Sequence, residues 1–410
     1  MRETTASRVG NWLTSNQETL NLWLTNLIQE VEEKREPLHP VLQEFQTVIE
    51  RDPEVYLYIN QMLAQVPEKY QANSEAGHQI KNYHQMLQVI NAVLTKAPEF
   101  DQAELVCLPI NAILDWSMGT PAGSAAFLNP KINAMFEKIL NQWCEFLSSE
   151  ASLYVLNETE TGWLCQAAQE RIGFDQYQCH PEKPFWGFRS WNDFFTREFK
   201  PGERPIAEPD NDKVIVSACE STPYKISTNV QKYSNFWIKS QPYSLEFMLA
   251  SDEYVDQFVG GTVYQAYLSA HDYHRWHSPV SGTTKKAFVQ KGSYFSEALA
   301  EASDPAGQNS SQSYIAHVAT RAIILIESDD PVIGLVGVVQ VGMAEVSSCQ
   351  ISVEEGQHIQ KGDPLGYFQY GGSTYCLVFR AGVIAEFTLD AIPQPDAKAV
   401  LVNSKLATAN

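Results

Sequence analysis

Residues 181–212 read PEKPFWGFRSWNDFFTREFKPGERPIAEPDND, and two different kinds of chain meet there. Proline, glycine and aromatic residues crowd the stretch, so neither a helical nor a strand period runs through it. On its N-terminal side apolar residues recur at helical spacing. NPKINAMFEKILNQWCEFLSS, residues 129–149, is the clearest case: Asn129 can cap, Pro130 suits the first helical position, and the closing serines are a stop signal. Its stripe runs from Ile132 through Phe136, Ile139 and Trp143 to Leu147. Weaker stripes cover 14–33, 41–50, 54–65 and 77–96. On the C-terminal side the texture is β: KVIVSA, GTVYQAYLSA, RAIILIES, PVIGLVGVVQVG and STYCLVFRAG are separated by Gly, Asp and Ser turns. The expected class is α+β, with a helical domain over 1–175 and a mainly antiparallel β domain over 176–410.

The 410 residues allow one large core or two domains, and a composition of 44% hydrophobic and 19% charged residues is that of a globular protein. A net charge of −20 argues against nucleic acid and against anionic lipid surfaces, both of which attract basic patches. MRETTASRVGNWL at the start lacks the apolar core of a secretory signal. The longest apolar run, VIGLVGVV from Val332 to Val339, is far short of the roughly 18 residues a spanning helix needs. A cytoplasmic protein is expected. The seven cysteines form no C-x-x-C pair and read as reduced thiols.

Within the β half, VEEGQHIQKGDPLGYFQY (353–370) places glycines at 356, 362 and 366, and KGDPLG suits a tight reversal between two strands. Biotinyl and lipoyl carrier domains share this hairpin texture. Those modules carry a lysine at the hairpin tip, however, and here the tip is expected to hold Gly-Gly-Ser-Thr, so the carrier reading loses its chemical group. That turn, GGST at 371–374, is the residue pattern with chemical interest. Two glycines leave the carbonyl of Gly372 unshielded, and Ser373 follows directly. A serine hydroxyl becomes a nucleophile only when a base takes its proton and a further group orients that base.

SAHDYHRWHSPVSG supplies candidates, with His271, His274 and His277 inside seven residues. A metal site needs all three on one side. On a strand 271 and 277 share a face while 274 points away, and Pro279 and Gly282 disfavour a helix, so no metal is expected. If His277 reaches Ser373, the serine can attack the bond before it. Elimination and hydrolysis of the resulting ester split the chain and leave a pyruvoyl group at residue 373, a carbonyl that condenses with amines and accepts electrons.

Three motifs in order, SWNDFFTREFKPGERPI (190–206), YHRWHSP (273–279) and GGSTYCLVF (371–379), together with IKSQPYSL (238–245), resemble the phosphatidylserine decarboxylase family. The resemblance covers about 190–390, and the helical N-terminal half resembles the extra domain of the family's soluble branch, which includes tryptophan decarboxylases. It implies a self-cleaving decarboxylase whose covalent pyruvoyl cofactor arises from Ser373 when the Gly372–Ser373 bond is cut. It further implies that His277 activates Ser373 and that His274 handles substrate and reprotonates product. The family's triad aspartate corresponds to Glu220 in VIVSACESTPY, with Asp272 as the competing acid.

The resemblance also implies cleavage fragments that stay associated, room for a homo-oligomer, and carbon dioxide released from an amino acid by way of an imine. A soluble aromatic amino acid such as tryptophan is the expected substrate, because no basic, apolar membrane-docking segment is visible. Phosphatidylserine is the alternative, and a non-catalytic carrier module or a metal-dependent hydrolase the readings from other classes.

Overall fold

A computed structural model describes residues 12–13, 16–65, 80–100, 107–234, 243–298, 311–345 and 348–410. Much of the motif at 238–245 lies outside the described residues. The N-terminal half is helical as its stripes require, with helices Gln17–Lys34, Pro40–Arg51, Pro53–Ala64, Tyr83–Val93, Pro109–Met118, Pro121–Leu128 and Pro130–Leu147. The last starts as its sequence dictates. The Asn129 side chain accepts from the backbone N–H of Lys131 and Ile132, Pro130 occupies the first turn, and the stripe from Ile132 to Leu147 is buried.

The strands are β1 (Val214–Val216), β2 (Thr222–Thr228), β3 (Thr262–Leu268), β4 (Arg275–His277), β5 (Gly282–Gln290), β6 (Arg321–Ser328), β7 (Leu335–Met343), β8 (Cys349–Ile351), β9 (His358–Ile359), β10 (Pro364–Phe368), β11 (Gly372–Phe379), β12 (Ile384–Phe387) and β13 (Lys405–Ala409). Seven of them form the main sheet in the order β2-β3-β11-β7-β6-β5-β9, and two three-stranded sheets run β1-β13-β12 and β4-β10-β8. Every pairing between these strands is antiparallel.

Side chains alternate across the main sheet, so its two faces feed two cores. Val339, Val341, Cys376 and Val378 join the helices in one core. Val338, Tyr375, Leu377 and Leu268 join Trp276, Phe368 and Leu406 of the small sheets in the other. The main sheet is thus covered on both faces, which explains why strands such as β7 and β11 read as continuous apolar runs without alternation. The tight turn expected at KGDPLG stands between β9 and β10, though these two strands do not pair with each other. β9 pairs with β5 whereas β10 pairs with β4 and β8, so the turn links two different sheets.

Candidate active site

Ser373 is the second residue of β11 and lies between Leu268 of β3 and Gly342 of β7. It is wholly buried, and its Oγ has no hydrogen-bond partner among the described residues. A buried hydroxyl without a partner costs free energy, about 1–3 kcal/mol. Strand alternation turns Ser373 toward the face of Tyr375 and Leu377 and turns Gly372 toward the helices. A Cβ on Gly372 would lie 2.9 Å from the Met343 carbonyl oxygen and 3.4 Å from Leu108 Cδ1, so only glycine fits without displacing the strand. Gly371 has φ +141°, a backbone angle that a side chain disfavours. The two glycines therefore bring the chain into the sheet with no side chain at the bond before Ser373 on the Gly372 side.

His274 is also wholly buried, with both ring nitrogens unpartnered among the described residues. Its imidazole stacks on Phe195 at 4.0 Å and meets Trp12 edge-on at 5.5 Å. Trp12 in turn donates its indole N–H to the carbonyl of Leu268 (2.7 Å), the residue that pairs with Ser373. Tyr370, just before the two glycines, packs against Trp12 and Phe195 and donates its hydroxyl to the Cys107 carbonyl at 2.6 Å. An aromatic enclosure drawn from both halves of the chain thus surrounds this end of β11. Burial holds the His274 imidazole well below its usual range, so it is neutral at pH 7.

His277 is bonded differently. Its Nδ1 lies 2.8 Å from the Gly362 carbonyl and its Nε2 lies 3.0 Å from the Tyr273 hydroxyl. A carbonyl can only accept, so Nδ1 carries the proton and Nε2 keeps its lone pair, the form a base requires. Burial lowers its affinity for a second proton. Among the described residues no hydrogen bond joins His277 to Ser373, or Glu220 to His277.

Glu220 is committed elsewhere, because Arg204 grips both its oxygens (2.9 and 2.6 Å) and the Val402 N–H donates to one of them (3.1 Å). Two residues before it, the Ala218 carbonyl accepts the backbone N–H of His277 at 2.9 Å. Asp272 accepts from the Ser269 N–H (2.7 Å), and burial pushes its carboxyl up to about 7. His271 faces Phe100 and Trp163, so the three histidines of the motif look into three different surroundings. Among the described residues no cluster of three or more His, Cys, Asp or Glu side chains could hold a metal ion.

Trp12, Tyr273, Arg204 and Tyr370, which touch the candidate residues, are not singled out by the sequence reading. Arg204 stands inside the motif at 190–206 and Tyr273 inside the histidine motif, so both were within reach. Trp12 lies 256 residues from its partner Leu268, and no local pattern marks it.

Two family models described as phosphatidylserine decarboxylase match residues 39–172 and 191–399. The chain is similar to decarboxylase iboD of Amanita muscaria, at 39% identity over 73% of this chain and 91% of that one. It is similar to an L-tryptophan decarboxylase of Psilocybe cubensis, at 33% identity over 85% of this chain and 82% of that one. Phosphatidylserine decarboxylase proenzyme 3 of Schizosaccharomyces pombe is 34% identical over 51% of this chain and 21% of that one.

Proposed function

The chain belongs to the phosphatidylserine decarboxylase family, and from that premise we propose a decarboxylase that cuts itself between Gly372 and Ser373 and acts on a soluble aromatic amino acid, tryptophan first. Membership makes it a carboxy-lyase. The observation that carries the reading is Ser373: buried, unpartnered at Oγ, and preceded by a Gly-Gly pair at whose second residue a side chain would meet the Met343 carbonyl.

In the cut, Ser373 Oγ attacks the carbonyl carbon of Gly372, and the amide nitrogen leaves with a proton, giving an ester. Loss of the Cα proton of residue 373 expels Gly372 as a carboxylate. Hydrolysis of the remaining enamine releases ammonia and leaves a pyruvoyl group on residue 373. His277 Nε2 takes the serine proton after exchanging the Tyr273 hydroxyl for it. The Gly362 carbonyl holds the ring in the basic tautomer, as the carboxylate does in a serine–histidine–aspartate triad. Glu220, locked on Arg204, acts by position, since it anchors the segment whose Ala218 carbonyl holds the His277 backbone.

The residues present fit such a group, because an orphaned hydroxyl marks where it forms and Gly372 leaves no side chain across it. Once formed, it supplies an electrophilic carbonyl that takes up the substrate amine and accepts the electron pair left by carbon dioxide. His274 moves the proton at the substrate α-carbon, and the rings of Trp12, Phe195 and Tyr370 exclude water from it. The chain divides near residue 175 into a helical part and a catalytic part. The two cleavage fragments stay together because β11, in the smaller one, is hydrogen-bonded to β3 and β7 of the larger.

An aromatic substrate is supported by the enclosure beside Ser373 and by relatives of that activity that match both halves of the chain. A cytoplasmic location accords with the described residues, in which no helix is long and apolar enough to cross a membrane. Carbon dioxide release from carboxyl-labelled L-tryptophan and L-phenylalanine, and from phosphatidylserine vesicles, tests the substrate. Release from the amino acids is expected, and release from the vesicles alone would overturn the reading.

A further inference from the structure

Asn111 and Glu345 meet where the helical half touches the main sheet. Asn111 is the third residue of the helix Pro109–Met118, and Glu345 stands two residues beyond the end of β7. Glu345 Oε1 accepts the backbone N–H of Asn111 at 2.7 Å, so the carboxyl reaches a helix N-terminus that has no side-chain cap of its own. That bond accounts for one oxygen only. Both side chains are wholly buried, yet Glu345 Oε2 and both polar atoms of the Asn111 amide have no hydrogen-bond partner among the described residues. Buried polar groups are overwhelmingly paired in folded proteins, so three unpaired atoms together call for a ligand.

Their position says which ligand. Met343, at the end of β7, pairs with Gly372. Leu108, which precedes the same helix, is the residue a Cβ on Gly372 would touch, and Cys107 before it accepts the Tyr370 hydroxyl. Asn111 and Glu345 therefore belong to the shell on the helical side of the Gly372–Ser373 bond. After the cut Gly372 is a chain end, free to leave the space it fills between Leu108 and Met343.

We propose that Asn111 and Glu345 form the specificity-determining end of the substrate pocket and accept a hydrogen-bond donor on the substrate's side chain, such as the ring N–H of an indole. The proposal rests on the amino-acid decarboxylase reading. The substrate's amine condenses at residue 373 and its carboxylate leaves as carbon dioxide, so the polar atom left to recognise lies on the side chain. Burial pushes the Glu345 carboxyl up to about 8, so at pH 7 it is protonated and, with Oε1 accepting the Asn111 backbone N–H, carries its proton on Oε2. The acceptor left for a neutral substrate donor is Asn111 Oδ1, oriented beside it. A site built around a substrate N–H rejects an analogue without one, because its own buried groups then stay unpaired.

The test compares kcat/KM of the self-cleaved protein for L-tryptophan, 1-methyl-L-tryptophan and L-phenylalanine. Wild type should favour tryptophan over its N-methyl analogue by on the order of tenfold to a hundredfold, and over phenylalanine likewise. Asn111→Leu and Glu345→Leu should bring the tryptophan to 1-methyl-tryptophan ratio close to one. Glu345→Gln, whose amide oxygen can still accept the Asn111 backbone N–H while its NH2 replaces the acid O–H, should keep it. The wild-type comparison needs no variant and so does not depend on whether a variant folds. Equal rates on tryptophan and 1-methyl-tryptophan, a preference for phenylalanine, or a ratio unmoved by either leucine variant would overturn this inference alone. No turnover of any of the three would overturn the aromatic-substrate reading and this inference together.

Discussion

His274 and His277 lie three residues apart and have opposite surroundings, which is why their substitutions should fail at different steps. His277→Ala removes the ring nitrogen held ready as an acceptor, so uncut chain should accumulate on a denaturing gel. His274→Ala should cut at least in part yet release little carbon dioxide. Equal failure of both at the cut would contradict the division of roles. Tyr273→Phe removes the hydroxyl that occupies His277 Nε2, and cutting should proceed at least as fast as in wild type. Glu220→Gln breaks a charge pair whose side chains are 10% and 11% exposed. Breaking a buried pair costs about 3–5 kcal/mol, so a lower melting temperature and slower cutting are expected, with a smaller effect from Asp272→Asn. The serine and the histidines stand out in the sequence because their motifs are short and local. Glu220, expected beside His277, is bonded to Arg204, a pairing that depends on how the chain at 204 folds back.

At the scale of elements, β11 joins cleavage chemistry to architecture. Gly372→Ala would put a methyl 2.9 Å from the Met343 carbonyl oxygen and against Leu108. Strand pairing would have to shift at the scissile bond, so slower cutting and a lower melting temperature are expected, whereas wild-type behaviour would contradict the fit described for Gly372. The sequence made the existence and type of these elements plain. The helix at 130–147 carries its own cap and stripe, and the β runs carry their turns. Partner choice was not legible. β9 and β10 flank a tight turn that looks like a hairpin, but β9 pairs with β5 and β10 with β4 and β8, and Ile359, Leu365 and Phe368 enter one core from two different sheets. Asn111 and Glu345 were missed for the same reason, being 234 residues apart.

For the whole molecule, buried titratable groups set the pH range of stability. Burial holds His271 and His317 down to about 3 and lowers His274 and His277 as well. Each takes up a proton near 6.5 when unfolded, so its contribution is full above that pH and is lost as pH falls toward the folded value. Asp272 and Glu345 behave in the opposite sense. Raised to about 7 and about 8, they contribute stability below their unfolded values of 3.8 and 4.5 and lose it as pH rises through the folded ones. Four histidines outweigh two acids on the acid side, and Glu345 acts on the alkaline side. The melting temperature should therefore peak at about pH 7 and fall more steeply toward acid. Glu345→Gln should flatten the alkaline fall, and a melting temperature that climbs steadily to pH 9 would contradict this account.

The intact mass of purified, active protein bears most directly on the central claim. Two chains are expected, 1–372 and 373–410, with the smaller lacking an N-terminal amine and lighter by one ammonia than simple hydrolysis would leave it. Ser373→Ala should give one uncut chain, and Ser373→Cys a slow cut, since a thiol can make the same acyl shift. A single full-length chain in wild-type material that releases carbon dioxide, or a free serine at the start of the smaller chain, would contradict it.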